Sequence, residues 1–387
     1  MYKKIICFIT FFILFLGIIN INGIVFAENE DKNSTVLITF KDRVNKELIF
    51  DSKGEILEIY ENLPVVKAKI PTDAIDHLVL NDSVEGIEND KNIKMSNQNL
   101  GYQSSMSKFL GQNIPWGVEK IKVPDVHNKY GITGKNVPVA IIDTGIDISH
   151  EDLRVVGGVS FLDYTTSYND DNGHGTHIAG IVGALDNNKG IIGVAPGIDL
   201  YSVKALDKDG NGKYSNVIKG IDWAINNHIK IISMSINGTQ ESVSFEKAAE
   251  LAYQKGILLV SSAGNKGYFN EDSVMIPAKY DSVISVGALD EENKRWEFSS
   301  RGKELELMAP GTDILSTSFN GDYIKDSGSS MAAAYVTGLA ALIMEKDPLL
   351  TNQQVRGVLQ KNTDRLGNFN EYGYGIINAF KSIDSIE

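Results

Sequence analysis

From residue 137 onward, apolar stretches of strand length recur, and segments with a helical period lie between them. VPVAIID (137–143), DLYSVKAL (199–206), IKIISMSI (229–236), GILLVSSAGN (256–265) and SVISVGA (282–288) are too uniformly apolar for half-exposed strands, which would alternate. Strands buried on both faces belong to a parallel sheet covered by helices. Between them, Val217, Ile221, Ala224 and Ile225 share one helical face, as do Phe245, Ala248, Ala249 and Ala252, with Gly256 placed to stop the second helix. The pattern predicts a doubly wound α/β domain with a mostly parallel sheet over residues 111–387.

Upstream the texture differs. STVLITF (34–40) and LPVVKAKI (63–70) read as strands, the second alternating at Val66, Ala68 and Ile70. TDAIDHLVLND (72–82) reads as a short helix opened by Thr72 or Asp73, and SVEGIEND (83–90) as another strand. Together they predict a small α+β unit over residues 28–110, joined to the larger domain by the polar stretch MSNQNLGYQSSMSKFLGQN (95–113). Before it, Lys3 and Lys4, the apolar run Ile5–Ile21 and Val25-Phe26-Ala27 form a secretory signal peptide, residues 1–27, with cleavage expected after Ala27. A retained membrane anchor is the alternative, because the run is nearly long enough to span.

Composition narrows the partners. A chain of 387 residues is expected to hold more than one domain. Its net charge of −13 excludes a nucleic-acid binder, which would carry clustered positive charge. The single cysteine, Cys7, lies in the signal segment, so the exported chain has neither thiol nor disulfide and depends on packing or bound ions.

Candidate chemistry collects where open α/β sheets place it, beyond the carboxyl ends of strands. IIDTGID ends a strand with Asp143, NGHGTHIAG opens a helix with His174, and GSSMAAAYVTGLAAL opens another with Ser330. A serine hydroxyl becomes a nucleophile when an imidazole takes its proton, and the imidazole needs a carboxylate on its other nitrogen. One Asp, one His and one Ser in that order supply these parts. His174 and His177 as a metal pair would want a third ligand and a neighbouring carboxylate, as in H-E-x-x-H, but Gly and Thr fill the gap.

On DTGID, HGTH and GSSMA the chain resembles the subtilisin-like serine proteases, from about Gln112 to the C terminus. The resemblance implies that Asp143 orients, His174 is the base and Ser330 attacks. By it His177 is structural, while Asn265 and the Ser330 N–H stabilise the oxyanion. The chain departs from the family at Ser329, Ala334 and Tyr335, where Thr, Pro and His are usual. Extended peptide substrate is expected to pair with strand edges at 212–215 and 235–238, touching Tyr214, Ser235, Asn237 and Met275. Asn237, where glycine is common, should narrow the first pocket, Met275 should make its base apolar, and Asp170 with Asp171 should place negative charge near the second.

A structural Ca²⁺ is expected on the side chains of Gln112, Asp152 and Asn187 and the carbonyls of Leu185, Lys189 and Ile191. DKDGNG (207–212) mimics an EF-hand start but has Ile218 where the bidentate Glu belongs, and reads as a turn. Residues 28–110 resemble the family's inhibitory pro-segments, which gives a secreted, extracellular, monomeric proenzyme with no stable membrane association after signal cleavage. It would cut itself near Leu110 or shortly before. Two other readings are a dedicated leader-peptide-processing protease of the lantibiotic type, and a catalytically silent binding protein on the same scaffold.

Overall fold

The computed structural model of the chain describes residues 33–96, 111–268 and 272–386. The expected signal peptide and the boundary near Leu110 lie outside the described residues.

The small unit runs β1 (Asn33–Phe40), α1 (Lys46–Asp51), β2 (Glu55–Ile59), β3 (Val65–Pro71), α2 (Ile75–Val79) and β4 (Val84–Asn89). Its antiparallel sheet has the order β2-β3-β1-β4. One face closes over its own core of Val36, Ile38, Phe40, Ile49, Val66, Ala68, Ile70, Leu78 and Val84. The predicted α+β character is present, with α1 and β2 in addition. A further strand, β5 (Asn92–Met95), leaves this sheet and pairs elsewhere.

The large unit opens with α3 (Trp116–Lys120) and α4 (Val123–Tyr130), followed by β6 (Pro138–Asp143), β7 (Val155–Ser160), α5 (His174–Gly183) and β8 (Asp199–Lys204). Then come β9 (Asn211–Lys213), α6 (Tyr214–Asn226), β10 (Ile231–Met234), β11 (Ile236–Asn237), α7 (Val243–Gln254), β12 (Leu258–Ser262) and β13 (Val283–Leu289). The chain continues with β14 (Leu307–Pro310), the hairpin β15 (Ile314–Ser318) and β16 (Asp322–Asp326), and α8 (Ser329–Lys346). Among the described residues the main sheet has the order β14-β13-β12-β10-β6-β8-β7, and every pairing in it is parallel. The uniformly apolar runs are thus buried strands, with α5 and α8 covering one face and α6 and α7 the other. Strand order reverses beside β6, and a crevice opens where such sheets bind ligands.

The small unit docks on the α6–α7 face. Leu37, Tyr60, Leu63, Val65 and Ile93 join the core formed there by Val217, Ile221, Phe245 and Ala248. Two carboxylates meet helix N-termini, where the dipole and unpaired N–H groups favour negative charge. Glu88 Oε1 accepts from Ser242 Oγ (2.8 Å) and Ser244 N (2.9 Å) at α7, and Asp90 accepts from Ser215 N (3.0 Å) and Oγ (2.7 Å) at α6. In return Asp222 accepts from the Glu61 and Asn62 N–H groups, each at 2.8 Å.

Helix α8 is buried from Ser329 to Met344, which sets how Ala334 and Tyr335 are accommodated. The Tyr335 ring is fully buried against α3, and a Cβ on Gly117 would collide with its hydroxyl. Among the described residues that hydroxyl has no hydrogen-bond partner, and burial pushes its pKa far up. An unpaired buried hydroxyl is unfavourable, so Tyr335→Phe should stabilise the chain by about 1 kcal/mol. Gly117→Ala should destabilise it by roughly 2 kcal/mol or more through overpacking. Urea unfolding of a Ser330→Ala background, which avoids self-digestion, measures both, and opposite signs are expected.

Candidate active site

Asp143 ends β6 at the switch point and is wholly buried. Its Oδ1 accepts from the Thr144 N–H at 2.7 Å and lies 2.8 Å from His174 Nδ1. His174 is the first residue of α5, entered through Gly173 at φ +112°. Close approach of α5 to β6 depends on Gly175, where a Cβ would strike the Gly145 carbonyl, and the Gly175 N–H donates to Thr144 Oγ1 at 3.0 Å.

Burial alone would depress the His174 pKa, but the charge and hydrogen bond of Asp143, with Asp326 and Asp170 behind, outweigh it and hold the ring above its ordinary value. With Nδ1–H directed at Asp143, Nε2 is left as the acceptor, and it is buried without a hydrogen-bond partner among the described residues. His177 lies below. Its Nε2 contacts the Ile314 and Ile324 carbonyls at 3.1 and 3.3 Å, which ties α5 to the β15–β16 hairpin, and burial lowers its pKa. No group of three or more His, Cys, Asp or Glu side chains able to hold a metal exists among the described residues.

The N-terminus of α8 brings Ser329 and Ser330 to the same crevice and gives them different tasks. Ser329 Oγ donates to Asn265 Oδ1 at 2.8 Å and its N–H does so at 3.0 Å, which fixes the carboxamide with Nδ2 outward. Ser330 Oγ faces a backbone carbonyl, that of Ser96, at 3.0 Å. Asn265 Nδ2 donates to the same oxygen at 2.6 Å. Ser96, which lies within the stretch expected to be a linker, thus meets both Ser330 and Asn265 at the crevice. The Ser330 N–H, expected as a second donor, makes no hydrogen bond to it.

Ser96 arrives there because β5 is the middle strand of a three-stranded antiparallel sheet, β11-β5-β9. Ile93 lies opposite Gly212, and Met95 lies opposite Ile236. The Ser96 N–H donates to the Ser235 carbonyl at 2.9 Å, and the Tyr214 N–H donates to Lys91 O at 3.0 Å. The two edges expected to hold extended peptide hold residues 92–95 of the chain itself.

The expected groove residues divide by role. Tyr214 contributes its main chain, while its ring is buried beneath the groove and its hydroxyl donates to Gln240 O at 2.8 Å. Ser235 contributes its carbonyl. Asn237 Nδ2 donates to Ser96 Oγ, and Met275 helps line a cavity of about 320 Å³ beside Ser96, with Asn237, Thr239, Asn265 and Lys266. Asp170 and Asp171 each find a partner within the fold, Asp170 buried and Asp171 with its side chain still 38% exposed. Asp170 accepts from the Thr176 N–H and hydroxyl at 3.0 and 2.6 Å, and Asp171 pairs with the buried Lys204 at 2.6 Å. In DKDGNG, Asp207 Oδ1 accepts from the N–H groups of Asp209 and Asn211, each at 2.9 Å, as a turn does.

Away from the groove, the six residues expected to hold Ca²⁺ form one cluster. Gln112 Nε2 reaches the carbonyls of Leu185 (2.6 Å) and Ile191 (3.1 Å). Asp152 accepts from Asn187 Nδ2 (2.9 Å), the Ile191 N–H (3.0 Å) and the Tyr323 hydroxyl (3.1 Å). The Lys189 N–H donates to Asn187 Oδ1 at 2.9 Å. Burial raises the Asp152 pKa against these hydrogen bonds.

Comparison with known proteins bears on the whole arrangement. A model of the Subtilase family matches residues 134–375. The chain is 41% identical over 336 residues to Subtilisin E of Bacillus subtilis, covering 86% of this chain and 84% of that protein. It is 38% identical over 354 residues to the Thermostable alkaline protease of Halalkalibacterium halodurans, covering 91% and 92%. To the Minor extracellular protease Epr of Bacillus subtilis it is 38% identical over 368 residues, or 94% of this chain, but it spans only 56% of that longer protein. With a parallel α/β sheet of the expected kind and identity of this extent, the chain belongs to the subtilase family and is a subtilisin-like serine endopeptidase.

Proposed function

We propose that the chain is a secreted proenzyme whose Asp143, His174 and Ser330 hydrolyse peptide bonds through an acyl-enzyme, and that its first substrate is its own Ser96–Asn97 bond. The observation that carries the reading is the Ser96 carbonyl oxygen, held by Asn265 Nδ2 at 2.6 Å with Ser330 Oγ 3.0 Å away.

His174 Nε2 takes the Ser330 proton as Oγ bonds to the Ser96 carbonyl carbon, and Asp143 stabilises the resulting imidazolium. Asn265 stabilises the negative oxygen where it forms. The C–N bond then breaks, and His174 returns the proton to the departing amine of Asn97. Water attacks the Ser96 ester with His174 again as base, which restores Ser330 and frees the Ser96 carboxylate. Residues 33–96 would stay bound afterwards through β5, Glu88 and Asp90, and so inhibit. The sequence pattern predicts a cut near Leu110 or shortly before, whereas the position of Ser96 favours the earlier bond, with residues 97–110 then remaining on the mature chain.

Secretion rests on the N-terminal pattern Lys3-Lys4, Ile5–Ile21 and Ala27, together with the extracellular protease of Bacillus subtilis among the relatives. No helix among the described residues is long and apolar enough to cross a membrane.

The cluster around Asp152 fits a structural Ca²⁺. One carboxylate, two carboxamides and loop carbonyls are the hard oxygen donors that this ion takes. Asp152, Gln112, Asn187 and the carbonyls of Leu185, Lys189 and Ile191 would hold it, and the bound ion would cross-link the N-terminal segment to the 185–191 loop.

The full-length Ser330→Ala chain should keep its small unit joined, while the parent releases it and shows an N-terminus at Asn97 on sequencing. A parent-like cut in Ser330→Ala overturns self-processing. Asn265→Ala should lower turnover by about 10² to 10³, a range carried over from subtilisin.

Activity needs neutral His174, so kcat/KM should rise with pH through its pKa, with the acid limb centred above 6.5. A histidine raised on folding contributes stability at low pH and loses it as pH rises through the folded value, the reverse of its effect on activity. Asp143→Asn should cut turnover by about 10⁴ and shift the limb downward. An unshifted limb in the residual activity would remove Asp143 from this role.

Chelation should lower the thermal midpoint of the Ser330→Ala chain, by about 2.7 kcal/mol of stability if free Ca²⁺ stood at 100 times its dissociation constant. Asp152→Asn should start lower and no longer respond to chelator.

A further inference from the structure

Resting on the protease reading above, we infer that Asn237 selects the residue whose carbonyl is attacked, and that it favours serine through a hydrogen bond to the side chain. Ser96 is only 3% exposed, so its hydroxyl needs partners inside the protein. It has them: Asn237 Nδ2 donates to Ser96 Oγ, and Ser329 Oγ lies 3.4 Å from it.

The carboxamide of Asn237 is oriented for this task. Its Oδ1 accepts from Ser262 Oγ at 3.4 Å, which leaves Nδ2 turned to the groove. Its main chain is held by pairing with Lys94 in β5 and by membership of β11, so the side chain stands at the mouth of the cavity beside Ser96. Met275 bounds the same cavity.

A longer side chain entering this cavity meets the Asn237 carboxamide in its lining, and an apolar one leaves the Nδ2 donor without its acceptor. Alanine fits but leaves the same donor unmatched. A site built around a substrate hydroxyl discriminates against analogues lacking it, because its own polar group is then stranded. The selection is therefore polar as well as steric.

The test uses quenched peptides Asn-Ile-Lys-Met-Xaa-Asn-Gln with Xaa as Ser, Ala or Phe, cut by the matured enzyme and by its Asn237→Gly and Asn237→Ala forms. For the parent, kcat/KM with Ser should exceed that with Ala by about tenfold, the size of one hydrogen bond of about 1.4 kcal/mol, and should exceed that with Phe as well. In both variants the Ser to Ala ratio should fall to within about twofold and Phe should gain on Ser. Ratios within one preparation do not depend on how much of a variant is folded. A parent ratio near one, or variants that keep the parent ratio, overturns the assignment of Asn237 alone. A parent that cuts none of the peptides and leaves Ser330 unlabelled by a fluorophosphonate overturns the protease reading beneath it.

Discussion

Everything at the crevice depends on how closely α5 approaches the end of β6. Asp143 and His174 come from different layers of the fold, and their 2.8 Å contact exists only because the residue after His174 has no side chain to hold the Gly145 carbonyl away. The carboxylate is wholly buried, so its negative charge is costly unless it is paired. The imidazole supplies the partner and is raised in basicity in return. Ser330 is brought in by α8, whose burial from Ser329 to Met344 holds it as rigidly as a core residue.

Adjacent serines at the head of α8 show how one short segment serves two needs. Ser329 holds Asn265 by two hydrogen bonds, and this decides which end of a nearly symmetric carboxamide faces the crevice. Ser330 is thereby the one directed at the Ser96 carbonyl. The substitution of Ser for the usual Thr keeps the hydroxyl on which this orientation rests.

Asp143, His174, Ser330 and Asn265 were legible in the chain because each sits beside a glycine turn at the edge of a strongly apolar element, and such edges gather at one end of a parallel sheet. The sheet itself was legible for the same reason, since uniformly apolar runs have no exposed face to offer. Strand β5 was not. Residues 92–95 are short and half polar, and their extended form comes from partners more than 115 residues away in β9 and β11, not from local preference. The partners of Asp170 and Asp171 were not legible in composition, which records charge but not what it pairs with. The signal was Lys204 inside an apolar run, a cation that once buried must find a carboxylate.

The way the small unit is held bears on the order of events in the proposed processing. Cutting after Ser96 removes one covalent link but leaves the apolar contacts of Leu37, Tyr60, Leu63, Val65 and Ile93, and the two carboxylates on the N-termini of α6 and α7. Apart from Ile93, which lies in β5 within the groove, these contacts lie outside the crevice and would not depend on the bond being intact. Release is then a separate step from cleavage, and it is governed by the stability of the small unit, whose own core is small. A domain that folds marginally alone is lost once it unfolds and is digested, because proteolysis of the unfolded state drains the bound one. The modest core of residues 33–96 would suit the proposed processing, since the segment would stay held by these contacts after the cut and be lost once it unfolds and is digested.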